Sequence, residues 1–359
     1  MKLKTLIILS AVLPLFLSCG GKEDVPELPP PVIVNPDLGG GDDDGGDDQT
    51  PGEWEANRGK VVTPSGDGWT SKTVRDGITY YTFSGKDLIT NAKQQVFVID
   101  VDLENPAYAV RLPYTTPSVV TSEAHKKYNS IATLNAGYEL GSIYVRSAGS
   151  VKSNLPNTTI GTSGVSNWKS EAAFFCDGER SISIRTAEEL IRPYISPDAD
   201  KMNSYIVSQR SYYSKSTEPY LISSSPMLID DYEPVGTTFV DYTISGWKNL
   251  NGEHPQKHQR ARHPRTAVAL TENNHFIMFA VDGRNKNSEG MSAKELTQFL
   301  VKWFNPQYAL NMDGGGSTTL CVEGEGDPQT HVVNYPCDND LYDHAGERSR
   351  TTHFIIVAK

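Results

Sequence analysis

Arg265-Thr266-Ala267-Val268-Ala269-Leu270, the turn Glu272-Asn273-Asn274 and the run His275 to Val281 open the segment whose reading decides the fold. Ser292-Ala293-Lys294-Glu295 and Tyr308-Ala309-Leu310-Asn311-Met312-Asp313-Gly314-Gly315-Gly316-Ser317 complete it. The first two runs are apolar, β-rich and bounded by turn residues, which predicts two strands. Ser292 and Glu295 have the spacing of a capping box, in which the serine oxygen takes an orphan N–H and the glutamate reaches back. Leu296, Phe299, Leu300, Trp303 and Phe304 then repeat at helical spacing, and Asn305-Pro306 stops the helix. A strand follows over 308–312. The whole reads as a strand–helix–strand unit whose two strands run parallel. Asp282 and Asp313 each stand one residue past the carboxyl end of such a strand, so both belong at one sheet edge, where open α/β sheets bind ligands.

Asp313 runs into three glycines and three hydroxyl residues, Ser317, Thr318 and Thr319. A backbone without Cβ atoms turns sharply and brings its N–H groups close to a ligand. Successive N–H groups in such a turn form a nest for anions. Two carboxylates brought together in a cleft have their pKa values driven apart, giving one acid and one base.

Upstream, Trp69 to Phe83 and Gln95 to Leu112 read as strands, Ser122 to Lys127 as a short helix, and Ile131 to Leu134 as a strand ending at Asn135-Ala136-Gly137-Tyr138. Residues 140–225 read as polar insertions of strand and loop. The fold expected is α+β: a mixed, β-rich sheet core with the strand–helix–strand unit and long loop insertions. A β-rich N-terminal subdomain is expected over 57–112 and a catalytic domain over 113–359.

The chain begins with a targeting segment over 1–18. Lys2 and Lys4 precede an apolar run, Leu6 to Leu17, too short to span a bilayer. Cys19 follows in the manner of a bacterial lipoprotein signal, which makes it the lipidation site. Residues 19–56, with Pro29-Pro30-Pro31 and aspartates 42–44 and 47–48, lack the apolar content to order themselves and are expected to be a disordered tether. Lys22-Glu23-Asp24 resembles the acidic tether of surface-exposed outer-membrane lipoproteins. The tether holds −10 of the net charge of −11, and residues 57–359 come to −3. A nearly balanced folded part gives no footprint for nucleic acid. Besides Cys19 there are three cysteines; an odd number argues against a disulfide framework, and one Cys321–Cys337 bridge is compatible with export. His254, His258 and His263 lack a metal-ligand spacing, with Pro255 read as breaking the helix that would align the first two.

Four segments stand out, in this order: Asn135-Ala136-Gly137-Tyr138, Arg265-Thr266, Asp282-Gly283-Arg284 and Asp313-Gly314-Gly315-Gly316-Ser317. A fifth comprises Asn334-Tyr335-Pro336 and Gly346-Glu347-Arg348. Together they resemble the phosphodiester glycosidase family, over roughly residues 95 to 357. That family includes an enzyme removing N-acetylglucosamine from a sugar phosphodiester. An aromatic pair usually follows the Asn-x-Gly segment; here Tyr138 is followed by Glu139.

The resemblance implies a hydrolase that cuts between an anomeric carbon and a phosphodiester oxygen, on a phosphodiester-linked carbohydrate and without a cofactor. Arg265, Arg284 and Arg348 are candidates to grip the phosphate, because guanidinium matches its oxygens with paired hydrogen bonds. The N–H groups of Gly314, Gly315, Gly316 and Ser317 are candidates for another oxygen. Asn135 is the candidate to hold a sugar hydroxyl, and Gly137 and Thr266 are further candidate substrate-binding residues. Asp313 and Asp282 are candidate nucleophile or base, with Glu347 third. Calcium coordination by Asp282 or Asp313 stays an open alternative. So do a non-catalytic surface lipoprotein binding an anionic glycan and a phosphodiesterase cutting on the phosphorus side, which would normally want a metal pair.

Overall fold

The computed structural model describes residues 53–66, 68–156, 167–187 and 199–359. The targeting segment, Cys19 and the tether up to residue 52 lie outside the described residues. The last four tether residues, Glu53–Ala56, form one helical turn. Asn305 Nδ2 donates to the carbonyls of Asn57 (2.8 Å) and Lys60 (2.7 Å), and Arg58 pairs with Asp231 at 2.7 Å, so order begins slightly before residue 57.

A seven-stranded sheet forms the centre. Its order is Trp69–Arg75, Ile78–Asp87, Ala92–Asp102, His275–Val281, Arg265–Leu270, Tyr308–Asn311 and Met227–Ile229, each antiparallel to its neighbours. The N-terminal strands therefore extend the same sheet as the strands after residue 265. Strands His275–Val281 and Tyr308–Asn311 both run antiparallel to Arg265–Leu270, so they are parallel to each other with one strand between. Their carboxyl ends share an edge, as the strand–helix–strand reading requires.

Period-two alternation buries both faces of this sheet. Val96, Val98, Ala267, Ala269, Ile277 and Phe279 face helix Ala293–Trp303, whose Leu296, Phe299 and Leu300 pack on them with Trp69 and Phe304. Phe97, Ile99, Val268, Phe276, Met278 and Leu310 face the opposite way, towards two further sheets. The helix begins with the expected capping box: Glu295 N–H donates to Ser292 Oγ (3.3 Å) and Ser292 N–H to Glu295 Oε2 (2.9 Å).

One further sheet joins Leu320–Val322, Ala132–Asn135, Arg350–Ala358 and Tyr108–Arg111, with Tyr114–Val119 also paired to Arg350–Ala358. The other is built from Ile182–Thr186, Ala172–Cys176, Tyr220–Ser224, Val145–Ser147 and Ser150–Ser153. This corrects the reading of 140–225 as insertions. Ala172 to Cys176 is wholly buried, and Phe174 packs edge-on against Phe354 at 4.8 Å, so these residues are core. The fold is α+β and β-rich, as expected.

Phe299 is fully buried and its ring meets Trp69, Phe83 and Phe279 at 6.0, 5.9 and 5.9 Å. Phe299→Ala should cost about 3–5 kcal/mol in denaturant unfolding. A loss under about 1 kcal/mol would show that this face does not hold the helix.

Candidate functional site

Pro264 brings the two carboxylate turns together. A Cβ on Gly283 would lie 2.6 Å from Pro264 N, and one on Gly314 would lie 2.6 Å from Pro264 O. Both glycines are therefore needed for close backbone approach, which places Asp282-Gly283 and Asp313-Gly314 on either side of the start of strand Arg265–Leu270. The two aspartates stand at one edge, two strands apart, and their environments differ.

Asp313 is 7% exposed, and its Oδ2 lies 2.7 Å from Arg350 Nη2. No aligned N–H or O–H reaches that oxygen among the described residues, so the contact is an ion pair without a directed hydrogen bond. Arg350 Nε donates to Ser317 Oγ (2.7 Å), so one guanidinium spans the serine and the carboxylate. Burial raises the Asp313 carboxyl above its ordinary value, and Arg350 and Ser317 oppose that rise.

Asp282 is 1% exposed and both of its oxygens are engaged. Asn334 Nδ2 donates to Oδ1 (3.0 Å), and the Tyr335 N–H lies 3.1 Å from each oxygen. No cation pairs with it among the described residues. Burial pushes its carboxyl up to about 7, although those two donors pull the other way. The same Asn334 amide donates to Thr318 O (2.9 Å) and its oxygen accepts from Leu320 N–H (2.9 Å). Asp282 thus bolts loop 334–335 to the strand that leaves the glycine turn.

Asn135 braces that turn from below. Its Nδ2 donates to Asp313 O (2.7 Å), and its Oδ1 accepts from Thr319 N–H (3.0 Å) and Thr266 Oγ1 (3.1 Å). Gly137 is a packing glycine: a Cβ there would meet Ile143 and Ile222 at 2.6 Å. Within the turn, Gly315 N–H goes to Pro264 O (2.8 Å), Ser317 N–H to Gly314 O (3.2 Å) and Thr318 N–H to Gly315 O (3.1 Å). Among the described residues no acceptor takes the N–H groups of Gly314 and Gly316. Gly315 sits at φ +63°, the left-handed region.

The three arginines separate. Arg265 is 1% exposed and donates to the carbonyls of Met291, His258 and Ala261 and to Gln259 Oε1, at 2.8–2.9 Å. It holds the segment before its own strand, and burial lowers its guanidinium to about 10. Arg284 is exposed and lies over the glycine turn, 3.3 Å from where a Gly315 Cβ would stand. Its neighbours are His263 Nδ1 (3.1 Å) and Cys337 Sγ (3.9 Å), and no carboxylate pairs with it among the described residues. Arg348 packs against Gly316, feels the charge of Asp313 and shares itself with Asp338.

Glu347 is occupied elsewhere. Its oxygens accept from Ser122 N–H (2.9 Å) and Ser122 Oγ, at the start of helix Thr121–Tyr128. Pro255 starts a helix, Pro255–Arg260, where a break was expected, because the first helical position needs no N–H. His254 caps it, accepting from Gln256 N–H at 3.1 Å. His258 and His263 stand with ring centroids 6.0 Å apart, and burial lowers both well below the ordinary histidine value. Among the described residues no group of three His, Cys, Asp or Glu side chains is placed to hold a metal ion. Cys176, Cys321 and Cys337 are free thiols, so the structure contains no Cys321–Cys337 bridge.

Two features escaped the sequence reading. Arg350 sits two residues past Arg348 with no motif spacing to mark it. Lys169 is held between Glu139 (2.6 Å) and Glu253 (2.8 Å), over the Tyr138 ring at 5.0 Å, and both Lys169 and Glu139 act on Asp313 through charge. Glu139, standing where the family pattern has an aromatic residue, was the available signal.

The centre thus combines a buried carboxylate paired to guanidinium with a glycine turn that has two open amides and, among the described residues, an arginine without a carboxylate partner. Residues 129–357 match the family model described as phosphodiester glycosidase. The chain belongs to the phosphodiester glycosidase family. Among solved structures, it is similar to the zebrafish N-acetylglucosamine-1-phosphodiester alpha-N-acetylglucosaminidase catalytic domain auto-inhibited by its pro-peptide. The identity there is 17%, the TM-score 0.50, and the coverage 84% of this chain and 87% of that one. It is also similar to a putative exported protein from Burkholderia pseudomallei, at 10% identity and TM-score 0.55, covering 83% of this chain and 99% of that one. At these identities the likeness is one of fold. Comparison with curated protein sequences gives no match.

The folded Asp282 pKa of about 7 lies above the ordinary 3.8. A raised carboxyl binds its proton more tightly in the folded state, so folding stability falls as pH rises from about 4 to 7. Asp282→Asn removes this titration. Denaturation at a series of pH values should show wild type losing stability relative to the variant across that window. Parallel curves would contradict the assignment.

Proposed function

We propose that this chain hydrolyses the bond between an anomeric carbon and a phosphodiester oxygen, on an exported glycan or glycoconjugate. Family membership supports this reading, and the buried Asp313–Arg350 ion pair beside the glycine turn carries it.

Asp313 takes a proton from water, and the water oxygen bonds the anomeric carbon. The carbon–oxygen bond to phosphorus breaks, and its electron pair leaves with the phosphate. A singly charged diester thus becomes a doubly charged monoester. The leaving group needs charge stabilisation more than a proton, and donors aimed at developing charge lower the barrier most. Arg284, Arg348 and the N–H groups of Gly314 and Gly316 supply that stabilisation. Arg350 opposes the rise that burial imposes on the Asp313 carboxyl and orients it with Ser317. Asp282, Asn135, Thr266 and Arg265 act as positioning residues, fixing the turn and the strands around it. Lys169 and Glu139 border the sugar side.

The sequence of residues 1–19 supports a lipid anchor at Cys19. With the tether, this would display the domain at the surface of a bacterial outer membrane.

Asp313→Asn should lower turnover of a sugar-1-phosphodiester about 10²–10⁴-fold. Unchanged turnover would remove Asp313 from the chemistry.

The acid limb of the kcat/KM profile should lie above the ordinary aspartate range, with activity lost as pH falls through it. Arg350→Met removes the cation that holds the carboxyl down, so the limb should move to higher pH. A limb that stays in place would contradict the role given to Arg350.

A further inference from the structure

We propose that Tyr342, stacked on Tyr335, is an acceptor-side subsite that binds the apolar face of a second sugar ring beyond the phosphate. The inference deepens the hydrolytic reading of the Asp313 centre and rests on it. The rings of Tyr335 and Tyr342 lie 4.0 Å apart and 8° from parallel, and His344 stacks on Tyr335 at 4.5 Å and 27°. Tyr342 is 41% exposed and its neighbour Leu341 62%. The shelf is fixed in place. Tyr342 Oη donates to Gln95 Oε1 (2.8 Å), Tyr335 N–H is held by Asp282, and the Asn334 carbonyl lies 2.6 Å from His344 Nδ1. A rigid stack whose Tyr342 ring is exposed offers apolar contact area at little entropic cost.

Its position specifies the ligand. Gln95 accepts the Asp282 N–H across the edge of the central sheet. Asp313 lies at the same edge, three strands from the strand of Gln95. At about 4.8 Å per strand that is about 14 Å. Arg284 follows one of the two strands between them, His275–Val281, and its guanidinium contacts Cys337 in the loop that carries the shelf. Arg348 pairs with Asp338 in that same loop. The order along the edge is therefore carboxylate, cations, aromatic shelf. A substrate with its anomeric carbon at Asp313 and its phosphate at the arginines directs its second ester oxygen towards Tyr342. A pyranose presents the flat C–H face that such a shelf accepts; a short alkyl ester would not reach it.

The test compares two synthetic diesters of one sugar-1-phosphate, a methyl ester and a glycosyl ester, with wild type, Tyr342→Ala and Tyr342→Phe. Tyr342→Ala should raise KM for the glycosyl ester about tenfold and leave both constants for the methyl ester unchanged. Tyr342→Phe gives up the bond to Gln95 but keeps the ring and its stack on Tyr335, so it should lose far less than Tyr342→Ala on the glycosyl ester and nothing on the methyl ester. Equal loss on both esters, or no loss on either, would overturn the subsite. Wild type that cleaves neither ester would instead overturn the hydrolytic reading beneath it.

Discussion

The contact between Asp313 and Arg350 is the interaction on which the rest turns. Taking a carboxylate and a guanidinium out of water costs several kcal/mol per ion, offset only when the pair is close and further bonded. Asp313 hangs from the end of a central-sheet strand, while Arg350 begins the strand of a second sheet. The pair therefore exists only when the two sheets close on each other. Asn135, from that second sheet, ties the Asp313 carbonyl to the Thr319 amide across the same seam. Fold and centre are made in one event, which explains why so many neighbouring polar groups are braces.

Three aspartate and glutamate side chains looked alike on paper. Environment distinguishes them. Glu347 spends both oxygens on the start of a helix, and Asp282 spends both on Asn334 and Tyr335. Only Asp313 keeps an oxygen held by charge alone. The arginines sort in the same way. Arg265 is locked into backbone carbonyls, whereas Arg284 stands over the glycine turn with no carboxylate partner among the described residues. A guanidinium surrounded by carbonyls is a structural staple, and one left without an anion in an open position is available for a ligand.

The legible part of the sequence was local. The capping box at Ser292, the helical spacing after it and the apolar β-rich runs in 265–281 all act over short stretches of chain, and each formed as read. The glycine turn was legible because three consecutive glycines signal close backbone approach. Residues 140–225 were not, because their buried strands are short and separated by polar stretches, and only the opposing sheet shows that Phe174 and Phe175 are core. Arg350 was hidden for a similar reason. Its partner lies 37 residues away, brought near by strand pairing that no spacing encodes. Pro255 was misread because a proline that breaks a helix interior is welcome at its first position.

The central claim concerns which bond opens, and hydrolysis of a sugar-1-phosphodiester in oxygen-18 water tests it most directly. Attack at the anomeric carbon places the heavy oxygen in the released sugar and leaves the phosphate unlabelled. Heavy oxygen in the phosphate, with none in the sugar, would contradict the account.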